Sequence, residues 1–131
     1  MESIEKKAVR VVIEYEKKKG RSPVDVSKQG KGYDIESEDM CIEVKGQSAK
    51  PDGRPKQNWL IFDNSCCKTM YKERDYYIYL VFNLSKDKPL EEDNPKLIIF
   101  NRDEILRSLR SGVSHVVWSN TKRLKELEVS L

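Results

Sequence analysis

Three residues close together in the sequence have the types and spacing needed to cut a phosphodiester bond. They are Asp34 in GYDI and Glu43 and Lys45 in CIEVKG. Side chains alternate faces along a strand, so Ile42 and Val44 point one way while Glu43 and Lys45 point the other, side by side. Packing of Tyr33 and Ile35 in the core would turn Asp34 outward, and a tight hairpin would bring it near Glu43. Two carboxylates held a few ångströms apart repel unless a cation lies between them. Such a set of hard oxygens suits Mg²⁺, which takes few protein ligands and keeps several waters, with Mn²⁺ as a substitute. The backbone carbonyl of Val44 could add a ligand. A lysine beside that ion could orient or deprotonate a water and stabilise charge on a phosphate. The bland alternative is an ordinary solvated salt pair, because an acid and a base two residues apart also arise by chance.

The elements that must position these groups are legible in the hydrophobic pattern. Ile4, Ala8, Val11 and Tyr15 recur at helical spacing, widened by Val9, Val12 and Ile13, and predict a helix over residues 3–19 that stops at Gly20. On this helix, Glu16 falls at the edge of the apolar stripe, whereas Glu14 falls on the opposite, basic face with Lys7, Arg10 and Lys18. An acid at the rim of a buried stripe needs a partner. Glu16 either pairs with a lysine or points into the site and supports the metal. Strands are expected at Val24–Ser27, Tyr33–Glu36, Met40–Lys45, Trp59–Phe62, Tyr76–Leu84 and Lys96–Phe100, with the second and third forming an antiparallel hairpin. Helices are expected from Asp63 or Asn64 to about Arg74 and over Arg102–Ser111. Residues 113–131 combine an apolar stretch, Val113–Trp118, with a further helical pattern in KRLKELE. The fold class is therefore α/β, a mixed sheet with helices packed on it.

The Pro/Gly-rich segment 46–56 reads as a loop long enough to be functional or mobile. Lys50, Arg54 and Lys56 there could neutralise phosphates, and Gln57 could touch substrate. Gly46 could allow a nucleic-acid backbone to approach closely, or simply end a strand. Tyr71, Tyr76, Tyr77, Tyr79 and Phe82 resemble base-stacking material but fit the packing of a buried strand better. The single histidine, His115, is far from the motif and reads as structural.

The pattern IEYEKKKGRSPVDVS, then GYDIES, then CIEVKG resembles the domain first described at the C-terminus of the plant protein NO VEIN, a group within the PD-(D/E)XK restriction-endonuclease-like superfamily. The resemblance covers roughly residues 5–82 and leaves about 95–131 as an extension of one domain. It implies that Asp34 and Glu43 bind the metal, that Lys45 serves catalysis, and that Glu16 matches the acid on the first helix.

Composition sets the outer bounds. A chain of 131 residues with 36% charged and 37% hydrophobic residues is one folded domain rather than a disordered segment. Its net charge of +3 permits a nucleic-acid partner without demanding one. No apolar run is long enough to span a membrane, and the N-terminus lacks a secretory pattern. Cys41, Cys66 and Cys67 include no CxxC pair, which argues against zinc and against a disulfide framework, and for an intracellular setting. The expected function is Mg²⁺-dependent endonucleolytic hydrolysis, of DNA rather than RNA, with a homodimer suited to duplex cleavage. The alternatives are a non-catalytic nucleic-acid-binding module that retains the acidic face, and a protein-interaction domain.

Overall fold

The computed structural model describes residues 2–57, 59–61, 64–73, 75–108, 115–117, 128–129 and 131. Helix α1 runs over Ile4–Lys18. The Ser3 side chain caps it by accepting from the Lys6 N–H at 3.2 Å. Glu5 in the first turn and Lys17 and Lys18 in the last complement the helix dipole. The helix ends in a Schellman turn. Gly20, at φ +81°, donates to the Lys17 carbonyl at 2.9 Å, and Arg21 donates to the Glu16 carbonyl at 3.0 Å. A residue with a Cβ would be strained at that φ.

The strands are β1 (Pro23–Asp25), β2 (Ile35–Ser37), β3 (Met40–Gly46), β4 (Trp59–Ile61), β5 (Tyr76–Phe82), β6 (Lys96–Asn101), β7 (His115–Val117) and β8 (Glu128–Val129). Helices α2 (Asn64–Lys72) and α3 (Arg102–Ser108) complete the set, with a short 3-10 turn at Leu90–Glu92. Six strands form one sheet in the order β1-β2-β3-β5-β6-β8. The β3–β5 pair is parallel and the others are antiparallel. This mixed α/β sheet flanked by helices is the restriction-endonuclease-like arrangement expected.

Alternation along the central strands divides the core into two layers. On one face, Ile35, Ile42, Tyr79, Val81 and Leu97 pack against Ala8, Val11, Val12 and Tyr15 of α1. On the other, Cys41, Tyr76, Ile78, Leu80, Phe82, Ile98 and Phe100 pack with Met70 of α2 and Ile105 of α3. Each fully buried aliphatic side chain stabilises the fold by roughly 1.5–3 kcal/mol, so these layers fix where α1 meets β3. Tyr76, Tyr79 and Phe82 belong to this core, while Tyr71 is 63% exposed.

Three expectations are corrected. The strand at Trp59–Ile61 does not join the main sheet but pairs with β7 in a separate two-stranded sheet; nothing local in the sequence marks a partner so distant. Lys7, expected on a solvated basic face, is fully buried. Its ammonium donates to the carbonyls of Ser85 and Lys88 and to Asp93, the last at 2.9 Å. The connection between β5 and β6 folds over this helix face and covers it. Tyr33 and Ile35 do not share a face: Ile35 packs under α1, whereas Tyr33 packs edge-on against Tyr76 in the other layer. The chain bends out of the ladder before β2 begins, which breaks the alternation.

Cys41 and Cys67 are free thiols. No helix among the described residues is long and apolar enough to cross a membrane. Residues 122–127 of the pattern KRLKELE, residues Phe62, Asp63 and Arg74, and 109–114 lie outside the described residues, as do the side chains of Cys66 and His115; Glu128, which ends that pattern, lies in β8.

Candidate active site

The β2–β3 ladder stops at a carboxylate. Asp34 precedes β2; its N–H donates to the Ile42 carbonyl at 2.9 Å, and its own carbonyl accepts from Val26 at 2.8 Å. The next hydrogen bond on the ladder is made by its side chain, whose Oδ2 accepts from the Val44 N–H at 2.8 Å. Beyond this point no strand among the described residues pairs with β3 on that side, which leaves an open edge.

Strand geometry then fixes which backbone groups line the edge. Cys41 and Gln47 donate their N–H groups towards β5, to the Asp75 and Val81 carbonyls. Ile42 and Val44, at even positions, therefore present N–H and C=O to the opposite side. The Val44 carbonyl accordingly points to the open edge beside Asp34, where it can serve as an oxygen donor.

Glu43 sits next to Asp34 with its side chain only 13% exposed, and the Lys45 ammonium lies 3.5 Å from its Oε2. Burial raises the Glu43 carboxyl, and the hydrogen bond and charge of Asp34 raise it further. Lys45 pulls it down, with the net effect that it is pushed up to about 8. Near neutral pH the Glu43 carboxyl is therefore largely protonated, as expected for an acid held half-buried beside a second carboxylate. A divalent cation would replace that proton. Asp34, Glu43, Val44 and Lys45 all face one cavity of about 680 Å³, bounded on its other side by α1.

No group of three or more His, Cys, Asp or Glu side chains able to hold a metal ion occurs among the described residues. The donor set is two carboxylates and a carbonyl, with water left to complete the shell. That composition fits Mg²⁺, which retains waters and needs only one or two carboxylates.

Glu16 is not brought to this cavity. It is fully buried against the sheet face opposite the α2–α3 layer and accepts two hydrogen bonds from Arg21, at 2.6 and 2.7 Å, and one from the Tyr79 hydroxyl at 2.9 Å. Burial pushes its carboxyl up, but Arg21, Ser37 and Tyr79 outweigh this and hold it below the ordinary value. The acid at the rim of the stripe did need a partner, and the Schellman turn delivers Arg21 to it.

The basic loop lies to one side. Arg54 pairs with Asp52 at 2.6 Å. Lys50 and Lys56 line a second cavity, and the Gln57 N–H donates to the Gln47 side chain at 3.0 Å. Gly46 permits a close approach, but by α1. A Cβ there would lie 2.9 Å from Ala8 Cβ and 3.1 Å from the Ile4 carbonyl oxygen. Sequence reasoning missed the wall that α1 contributes, where Lys6, Val9, Arg10 and Ile13 face the cavity, with Glu2 just before the helix. Their positions recur at helical spacing, so the signal was present in the stripe that Val9 and Ile13 widen.

Comparison with curated proteins and with solved structures returned no match. A family model did match, and it spans the features that build the site: α1 with its Gly46 contact, the open β3 edge bearing Asp34, Glu43 and Lys45, and the connection clamped by Lys7. That model, described as "Protein NO VEIN, C-terminal", covers residues 4–94, and the chain belongs to this family.

Proposed function

We propose that this domain is a metal-dependent endonuclease that hydrolyses phosphodiester bonds, in DNA rather than RNA. The observation that carries this reading is the juxtaposition of Asp34 and Glu43, within hydrogen-bonding reach of each other at an open strand edge, with the Lys45 ammonium 3.5 Å from Glu43. Asp34, Glu43 and the Val44 carbonyl would hold Mg²⁺, or Mn²⁺ in its place. When bound, the cation would polarise a phosphoryl oxygen and acidify a water.

The chain's own groups do the rest. Asp34 is oriented by the Val44 N–H, so one carboxylate oxygen is fixed while the other faces the cavity. Lys45 donates hydrogen bonds to a non-bridging phosphate oxygen and aligns the attacking water, stabilising the charge that grows on the phosphorus centre. Glu43, whose carboxyl is pushed up by burial and by Asp34, would have to ionise to hold the cation.

A module that only bound nucleic acid would gain nothing from a half-buried carboxylate pair, which repels phosphate. Duplex cleavage by so small a domain would call for two copies, one per strand. The test is nicking of supercoiled plasmid in Mg²⁺ or Mn²⁺. Wild type should nick, and Lys45→Ala should be slower by roughly a hundred- to ten-thousand-fold. Absence of cleavage in every divalent metal would contradict the proposal.

A further inference from the structure

The carboxylate cavity is a poor attractor for a polyanion. Its walls carry Lys6, Arg10, Lys28 and Lys45 against Glu2, Glu5, Asp25, Asp34 and Glu43, four basic side chains facing five acidic ones. Arg10 is moreover already paired with Glu2 at 3.0 Å. A substrate backbone must be gripped elsewhere, close by.

A second cleft, of about 710 Å³, begins where the first ends. Ile4, which packs on Gly46 at the rim of the carboxylate cavity, also lines this cleft. Its two banks are the 48–56 loop and the β5–β6 connection. Lys50 and Lys56 project from the first bank, Lys86 and Lys88 from the second, and all four are exposed. Asp87 and Glu92 share the rim, and Asp93 is consumed by the buried Lys7. The balance is positive, the reverse of the cavity next door.

The second bank is rigidly built. Lys7, fully buried, ties the Ser85 and Lys88 carbonyls and Asp93 to α1. Ser85 Oγ donates to Asp93 at 2.8 Å, and the Asn83 side chain donates to the Asn94 carbonyl at 2.8 Å. A buried ammonium group spent on backbone carbonyls holds the loop in shape while its own lysines face outward.

We propose that this cleft binds the sugar–phosphate backbone of a nucleic-acid strand running away from the scissile bond, with Lys86 and Lys88 as phosphate contacts opposite Lys50 and Lys56. The inference deepens the nuclease reading and rests on it only for the position of the scissile bond; backbone binding itself needs no catalysis.

The experiment measures fluorescence anisotropy of a labelled duplex DNA and of its single strand, in EDTA, over a salt series. The double variant Lys86→Glu/Lys88→Glu should weaken binding by about tenfold or more at low salt. It should also flatten the plot of log affinity against log salt by about 0.9 per lost phosphate contact on duplex, or about 0.7 on single strand. Lys50→Glu/Lys56→Glu should behave alike. The control, Lys17→Glu/Lys18→Glu at the far end of α1, should change binding little. Unchanged affinity in the cleft variants, an equal loss in the control, or no DNA binding by wild type would each overturn the cleft assignment. Cleft-dependent binding without plasmid nicking in any metal would keep the cleft and remove the nuclease.

Discussion

Two glutamates, Glu16 buried and Glu43 half-buried at a sheet edge, have opposite surroundings. Glu16 is sealed under α1 with a guanidinium fork and a phenol on its oxygens, and its carboxyl is held below the ordinary value. Glu43 lies at the open edge of β3 against a second carboxylate, with Lys45 only partly offsetting it, and is pushed up to about 8. The first charge is compensated by the protein itself. The second is compensated only in part by the protein, and perturbed carboxylates in a cleft are where function concentrates. Burial of an acid alone therefore does not mark a site; the test is whether the chain supplies its counter-charge.

Breaking the compensated pair should have the largest effect on stability. Arg21→Ala strands a buried carboxylate and should cost about 3–5 kcal/mol in urea unfolding. Glu16→Gln should destabilise less and leave the Mn²⁺ affinity of the folded protein unchanged; loss of metal binding there would place Glu16 in the site after all. The sign with pH follows from the depressed carboxyl. The contribution of Glu16 is present above its unfolded value and is lost as pH falls through its lower folded value, so acid unfolding should come later in wild type than in Glu16→Gln.

Gly46→Ala tests the helix that walls the site. The added methyl meets Ala8 Cβ and the Ile4 backbone oxygen, so α1 must shift where it meets β3. About 1–3 kcal/mol of destabilisation is expected by thermal melting, with cleavage falling more than stability alone explains.

The uncompensated acid gives an effect of the opposite sign. Because folding raises the Glu43 carboxyl from about 4.5 to about 8, its contribution to wild-type stability falls as pH climbs between those values and stays low above them. Glu43→Gln lacks this slope. It should be more stable than wild type above pH 8, with the advantage shrinking as pH drops towards 4.5. Mg²⁺ should narrow the gap at alkaline pH by stabilising wild type only.

Much of this contrast was legible before any coordinates. The alternation in CIEVKG separated Glu43 and Lys45 from Ile42 and Val44, and the GYDI–CIEVKG hairpin brought Asp34 to Glu43, because both signals are local. Asp34 reaches the site differently from the expected route, since it ends the ladder with its side chain rather than alternating within it. Glu16 was legible as an acid in need of a partner, and KKKGR contains that partner, but an arginine five residues on is not a helical neighbour; it arrives only through the turn at Gly20. Tyr79 lies 63 residues away in sequence. Lys7 looked solvated because its cover, the β5–β6 connection, is set by tertiary packing. The pairing of β4 with β7 was hidden for the same reason.

The claim that Asp34 and Glu43 await a cation is tested most directly by calorimetric titration of Mn²⁺ near neutral pH in two buffers of different ionisation enthalpy. A single ion should bind wild type with release of the Glu43 proton, seen as a buffer-dependent heat, and Asp34→Asn and Glu43→Gln should each abolish binding or weaken it severely. Wild type that takes up no metal, or variants that bind it as tightly as wild type, would contradict the assignment.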